Sequence, residues 1–439
     1  MSQKKKWSAL VVALVLAALL VTSCSSPQKT ETKVLAPERK IKTIEIWTMT
    51  PEYSQDRYEA ALMIASWWKQ LGLDVQAKPM DGTVISSKTR TPPWDFDTYM
   101  LQWFGTPERI DPQLFIYQVF HSSQDVEGGA NRSGYRNPEY DQLAEAQMRE
   151  TNPEKRQEYV LKAQELLAED VPVITLYFKN LRQVYNHDRF SGIVEMPGVG
   201  INNIWTFLRA EPKTTDRVLR VASPDDCDNL NPMIAWINAD WDILYLIYDT
   251  LVRLGPDGQP TPSAASSWEF KSPTVLQVKL KEGLKFHDGK PLTAEDVKFT
   301  FEYALKWGMP KVAGFVKPVK AVRVLDQHTL EFETAQPVGS LVSGTLAAVP
   351  ILPKHIWEGL LEREKIAKPA DWANPHPIGS GPLKFRYWRR GEEIRLDTFK
   401  EYHTPAKIDG VLQIIYPSPD ALLGAMELGK ADLTMQDLA

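Results

Sequence analysis

The sequence predicts an α/β protein built as two lobes, and three observations carry that reading. A strand–helix–strand pattern opens the folded part of the chain. A second, differently ordered mixture of strands and helices follows a polar break near Ala210-Glu-Pro-Lys-Thr-Thr215. The chain is also long enough for two or three packed cores, since 439 residues at 43% hydrophobic and 24% charged are ordinary globular proportions.

Taken in order, the first segment concerns destination rather than fold. Lys4-Lys5-Lys6 precedes an apolar run from Trp7 to Thr22, too short and too asymmetrically flanked for a membrane span and suited to an export signal over residues 1–23. The run ends at Val21-Thr-Ser-Cys24, where small residues before a cysteine resemble a bacterial lipobox. Cleavage before Cys24 and acylation of its thiol and new amino group are therefore expected, and more than one acyl chain anchors stably where one alone is marginal. Residues 24–42 are polar without apolar periodicity and read as a flexible tether.

Residues 43–210 form the first expected domain. Ile44–Met49 reads as a strand, and from about Glu52 a helix places Ala60, Ala61, Ile64, Ala65, Trp68 and Leu71 on one face. Gly72 ends it, Leu73–Ala77 is the next strand, and the two strands should run parallel. A strand is expected at Thr98–Trp103, two helices after Asn137, and a strand at Val173–Tyr177. Thr151-Asn-Pro-Glu154 reads as a capping box with proline in the first turn. Residues 211–216 are expected to link the two domains.

Residues 217–439 form the second expected domain. Strands are predicted at Val218–Ala222, Thr274–Leu280, Val319–Leu325, Thr329–Thr334, Leu383–Trp388, Ile394–Phe399 and Val411–Tyr416, with helices at Asp240–Leu251 and Pro419–Leu428. The most tightly specified stretch is Gly283–Lys306. His287-Asp-Gly289 reads as a turn, Thr293 with Asp296 as a capping box, and Val297, Phe301, Ala304 and Leu305 as one helical face.

Several functional classes are disfavoured. The formal charge is −5, and removing the three lysines of the export signal takes the 51 basic residues to 48 against 56 acids, or −8. That balance argues against nucleic acid as a partner. No G-x-S-x-G elbow, P-loop or complete G-x-G-x-x-G occurs, and His121, His187, His287, His328, His355, His376 and His403 lack metal-ligand spacing. No catalytic residue, metal or other cofactor is therefore expected. With Cys24 acylated, Cys227 has no cysteine to pair with. The chain is instead rich in tryptophan, with 14. Trp94, Trp103, Trp236, Trp241 and Trp372 fall at expected element ends or loops, where large rings suit stacking on a ligand.

A family resemblance rests on particular residues. Gly258–Trp268 with Leu280–Val297, then Pro377-Ile-Gly-Ser-Gly-Pro-Leu-Lys-Phe385 and Ala425–Asp432, resemble the signature regions of the family 5 extracellular solute-binding proteins. This is the dipeptide, oligopeptide and nickel group of ABC importers. Asn131–Asp141 and Pro153–Arg156 resemble the family's C-terminal lobe. The resemblance implies a periplasmic-binding-protein-like fold of type II, two lobes with a cleft between them and an extra subdomain. It implies an exported, membrane-anchored protein that captures a solute for a membrane permease and is not an enzyme. The halves stand in swapped order relative to the family, and a segment that should join them appears in neither, so a rearranged chain is expected.

The resemblance also suggests the site. Peptide-binding members are expected to hold the peptide amine with an aspartate three residues after a tryptophan that matches Trp103, and here that position is Thr106. Glu108 or Asp111 could substitute. Trp103, Phe104 and Thr106 from the first half, with Trp236 and Trp241 from the second, are expected to face the cleft, because α/β folds place ligands at element ends. The expected ligand is a peptide or similar small oligomer, with an oligosaccharide as the alternative. A non-binding pseudo-receptor and a lipid-anchored surface hydrolase are the readings from other classes.

Overall fold

In the computed structural model the described residues are 41–435, apart from 92–93, 104–108, 179, 236 and 310. They divide into two compact units.

The first unit runs to Met80 and includes Asp97–Met100. Its strands β1 (Ile44–Met49), β2 (Val75–Met80) and β3 (Thr98–Tyr99) form a parallel sheet in the order β2-β1-β3. Helix Gln55–Gln70 joins β1 to β2. Its Ala61 and Ala65 pack on Ile46 and Val75, with Met100 closing the cluster. Two small side chains a turn apart let the helix approach the sheet closely, which is why this face is alanine-rich. Gly72, at φ +84°, supplies the left-handed residue that stops the helix. Leu71 is not part of the buried face. It is the helix C-cap and stands 76% exposed, because the chain has already left the helical spiral there. β3 is also shorter than the predicted Thr98–Trp103.

The second unit comprises Asp81–Phe96 and Leu101 onward. It contains a helical module with its own core. Helices Pro138–Arg149 and Pro153–Asp170 pack on a π-helical turn, Leu114–Val119, through Ile116, Tyr140, Ala144, Val160 and Ala163. The buried Tyr140 hydroxyl donates to Ile116 O at 2.6 Å. Asn137 caps the first helix, accepting from Glu139 N and Tyr140 N. The second is capped by Asn152, which accepts from Lys155 N, and not by Thr151, because the helix begins one residue later than the Thr151 capping box requires.

The larger part of this unit is built on two sheets. Strands β4 (Phe190–Ser191) and β5 (Glu211–Pro212) pair with each other, and β6 (Val218–Ser223) starts the main sheet. A hairpin, β7 (Val252–Leu254) with β8 (Pro260–Pro262), leads to β9 (Ala265–Ser272), β10 (Val275–Leu280), β11 (Val319–Asp326) and β12 (Thr329–Thr334). These last four form an antiparallel sheet ordered β11-β12-β10-β9. Strands β13 (Leu383–Arg389), β14 (Glu393–Thr398), β15 (Gly410–Ile415) and β16 (Leu433–Thr434) join β6 in the order β13-β14-β15-β6-β16. β6 runs parallel to both β15 and β16.

The tightly specified stretch is a scaffold element. Gly289 takes φ +85° in the turn, and both halves of the Thr293–Asp296 capping box are present at the start of helix Ala294–Trp307. Val297, Phe301 and Ala304 are buried, and the Phe301 ring meets Phe332 of β12 edge-on at 4.9 Å. Leu305, predicted on that face, is 42% exposed. Asp296 and Thr300 also receive the backbone N–H groups of Lys354 and Leu352, so the helix fixes the following loop as well.

Two further expectations are corrected. Residues 184–212 attach to the second half, and 211–216 does not begin as a free linker: Glu211–Pro212 is paired strand, Tyr185 bridges Leu433, and Val184 exchanges hydrogen bonds with Thr434. The cause is Asp432, whose side chain is 0% exposed and sits 3.0 Å from both Arg220 and Arg189, the latter contributed by this segment. A buried carboxylate needs such cations. Val173–Tyr177, predicted as strand, is not one, and Ile174 and Phe178 stand 69% and 90% exposed.

Candidate functional site

At the carboxyl end of β6 the chain turns into the loop 224–235, ahead of helix Asn238–Ile247. Crevices outside the carboxyl ends of parallel strands are where α/β sheets bind ligands. This loop is heavily tied down. Asp226 accepts from Trp388 Nε1 at 2.9 Å and Gly391 N at 2.7 Å, and Asp240 Oδ1 accepts from Asp228 N at 2.7 Å. Asn231 Nδ2 donates to Pro369 O and Trp372 O. A loop held at so many points is preorganised, which lowers the ordering cost of binding.

Trp241 is placed differently from the sequence expectation. It is 4% exposed, its indole N–H donates to Ala235 O at 2.9 Å, its ring lies 5.1 Å from that of Tyr245, and Lys311 Nζ stands 4.8 Å over it. It is a core side chain that braces the loop, on a helix that buries seven of its ten residues. Trp372 packs edge-on against Trp357 at 5.1 Å and is likewise structural. Cys227 is buried, with its thiol donating to Ala239 O, and burial pushes its pKa up.

In the first half Trp103 is 38% exposed. Phe115 meets it edge-on with ring centroids 5.4 Å apart, and the Arg109 guanidinium lies 5.4 Å from its ring centre. Sequence spacing held no sign of Phe115 or Arg109, since neither lies in a recognisable pattern with Trp103. Phe104, Thr106, Glu108 and Trp236, the other expected site residues, lie outside the described residues, as does Cys24. Trp94 is 41% exposed.

Asp111 is not a free carboxylate. Arg156 donates to both of its oxygens, at 2.6 and 2.8 Å, while Gln113 N donates to Oδ1 and Ser343 Oγ to Oδ2. Burial alone would raise its pKa, but the Arg156 hydrogen bonds and charge outweigh that and hold the carboxyl below its ordinary range. With its charge matched and both oxygens engaged, Asp111 cannot also read a ligand ammonium group.

One cluster contains the residue types of a hydrolytic triad without its geometry. Asp249 is 1% exposed and accepts from Ser263 Oγ at 2.6 Å, lies 3.1 Å from Arg253 Nη2, and faces His403 Nε2 at 3.2 Å. The serine hydroxyl proton therefore points at the carboxylate, whereas a nucleophilic serine would offer it to the histidine. Burial opposes the Asp249 charge, yet Arg253 and His403 hold its pKa below the ordinary value. The cluster stitches β7 to the turn after β14. Among the described residues no group of three or more His, Cys, Asp or Glu side chains could hold a metal ion. No helix among them is long and apolar enough to cross a membrane.

Residues 259–438 match the model of the bacterial extracellular solute-binding proteins, family 5 Middle. The oligopeptide-binding protein AppA of Bacillus subtilis is 30% identical over 204 residues, spanning 45% of this chain and 37% of AppA. Its solved structure, in complex with a nonapeptide, covers 49% of this chain and 43% of its own at 28% identity and TM-score 0.44. The ABC transporter substrate-binding protein CtaP of Listeria monocytogenes is 32% identical, with coverages of 49% and 44% and TM-score 0.44. The chain thus spans less than half the length of the curated relatives it matches. The resemblance read from Gly258–Trp268, Leu280–Val297 and the later motifs falls within the matched stretch, apart from its first residue.

Proposed function

With residues 259–438 matching the family 5 extracellular solute-binding proteins, we propose that this chain is an extracytoplasmic solute-binding component of an ABC importer. It captures a peptide or similar small oligomer and presents it to a membrane permease. The observation that carries this reading is the family match itself, together with a relative named as oligopeptide-binding. The tied-down loop after β6 and the exposed face of Trp103 support it, the first as a preformed wall and the second as a stacking surface. Phe104, Thr106, Glu108 and Trp236 complete the proposed site. The two-lobe division, the swapped order of the halves, and anchoring through Cys24 belong to the same reading. Moving Cys24 to Ser should shift the protein from the membrane fraction to the soluble exported fraction, and unchanged partitioning removes the anchor from the proposal.

The engaged state of Asp111 sharpens the ligand. A threonine at 106 offers a neutral hydrogen bond worth about 1 kcal/mol net, whereas removing the partner of a buried charge costs about 3 to 5 kcal/mol. Calorimetric titration with a short peptide and its N-acetylated form should therefore give affinities within about tenfold, near 1.4 kcal/mol. A thousandfold loss on acetylation means that a carboxylate, Glu108 foremost, reads the amine. Absence of binding to either form rejects the peptide reading.

A further inference from the structure

Lys281 follows β10 directly, and its backbone N–H donates to Ala264 O at 2.9 Å. Lys78, Lys285, Lys320 and Lys407 are each held by a carboxylate, which favours the ammonium form. Lys281 has a different companion. Its Nζ lies 3.1 Å from His403 Nδ1, a nitrogen that also has Thr404 Oγ1 at 3.1 Å. The tautomer follows from the far side of the ring. His403 Nε2 is 3.2 Å from Asp249 Oδ2, and a carboxylate can only accept, so Nε2 carries the proton and Nδ1 presents its lone pair to the lysine. The Tyr402 ring, centred 4.0 Å away, braces the imidazole.

Amine, imidazole and buried carboxylate thus stand in a row, the arrangement that activates a nucleophile through an oriented base. Asp249 is 1% exposed and is itself fixed by Ser263 and Arg253. Burial, the largest influence on Lys281, lowers its pKa; the Asp249 charge opposes this, the Arg253 charge adds to it, and the net direction is down. The residue is only partly buried, so its amine is not sealed from reagents.

We propose that Lys281 is an acylation site, with His403 as the base that takes its proton and Asp249 as the residue that positions His403. The donor is an activated acyl group with a good leaving group, of the acyl phosphate class. The neutral amine attacks the acyl carbon, a C–N bond forms, and the C–O bond to phosphate breaks. The N–H proton passes to His403 Nδ1 as the tetrahedral intermediate collapses, and the imidazolium, stabilised by Asp249, returns it to the departing phosphate. The amide that results carries no charge. Solute capture plays no part in this step, and its test needs no solute.

Treating the full chain with a limiting amount of acetyl phosphate and reading each lysine by peptide mass spectrometry provides that test. Lys281 should be acetylated ahead of Lys279 and Lys290, its exposed neighbours in the sequence. Its rate should rise at a lower pH in the folded chain than in the urea-unfolded one. His403→Gln can keep a hydrogen bond on each side but cannot take a proton, so the rate at Lys281 should fall at least about tenfold while Lys279 and Lys290 keep theirs. The rank order and the pH profile need no variant and stand even where His403→Gln does not fold. The proposal fails if Lys281 reacts no faster than Lys279, if folding leaves its pH profile in place, or if a folded His403→Gln leaves its rate unchanged or lowers all three rates together.

Discussion

His287 allows a sharp test of how the scaffold responds to acid. Its Nδ1 lies 3.4 Å from Gly379 N, and Nε2 lies 3.0 Å from Gly381 O. The amide donates to Nδ1, so the proton must sit on Nε2, where it is donated to the carbonyl. The ring is thereby committed to its neutral form. Burial disfavours the imidazolium most, outweighing the Gly381 carbonyl, and lowers the pKa from 6.5 to about 4. The sign follows directly. Between these values the unfolded chain binds a proton that the folded chain refuses, so stability falls as pH drops from about 6.5 and levels off below about 4. At about 1.4 kcal/mol per pH unit the full loss is roughly 3 kcal/mol, and nearer 2 because the ring keeps some contact with water. Urea unfolding at pH 7.5 and 4.5, monitored by tryptophan fluorescence, should show wild type losing about 2 kcal/mol more than His287→Gln. Glutamine can still donate to Gly381 O but does not titrate. Equal pH slopes in the two proteins would refute the argument.

Two other predictions follow from the same kind of reasoning. Asp249→Asn leaves Arg253 buried without its counter-charge and should cost about 3 to 5 kcal/mol in urea unfolding, whereas replacing the pair by Leu and Met should cost less; a single-variant loss under about 1 kcal/mol would contradict this. Because the Asp249 pKa is depressed, its contribution is present above the unfolded carboxylate value and is lost as pH falls through the folded one, so the variant's deficit should shrink in strong acid. Ile174→Lys with Phe178→Lys should raise the concentration at which light scattering appears while changing stability by less than about 0.5 kcal/mol per site, since both side chains are exposed apolar groups in a β-prone stretch. Unaltered scattering would show that this segment is not the adhesive surface.

What the sequence determined on its own was local. Strand β1, its helix and β2 follow from apolar spacing and one glycine, and the Thr293–Asp296 cap follows from two residues three apart. Most strands of the second half were legible for the same reason: alternation depends on neighbours in the chain. Tertiary structure decided everything that depends on a partner. Asp111 could be a ligand-reading carboxylate until Arg156, 45 residues away, takes both its oxygens. Trp241 carries the same indole whether it lines a cleft or braces a core, and only the packing of its helix buries it. Residues 184–212 join the second half because Asp432, more than two hundred residues downstream, needs Arg189 beside it in a buried position. Val173–Tyr177 shows the converse, since β-propensity makes a strand only when another strand supplies the hydrogen bonds.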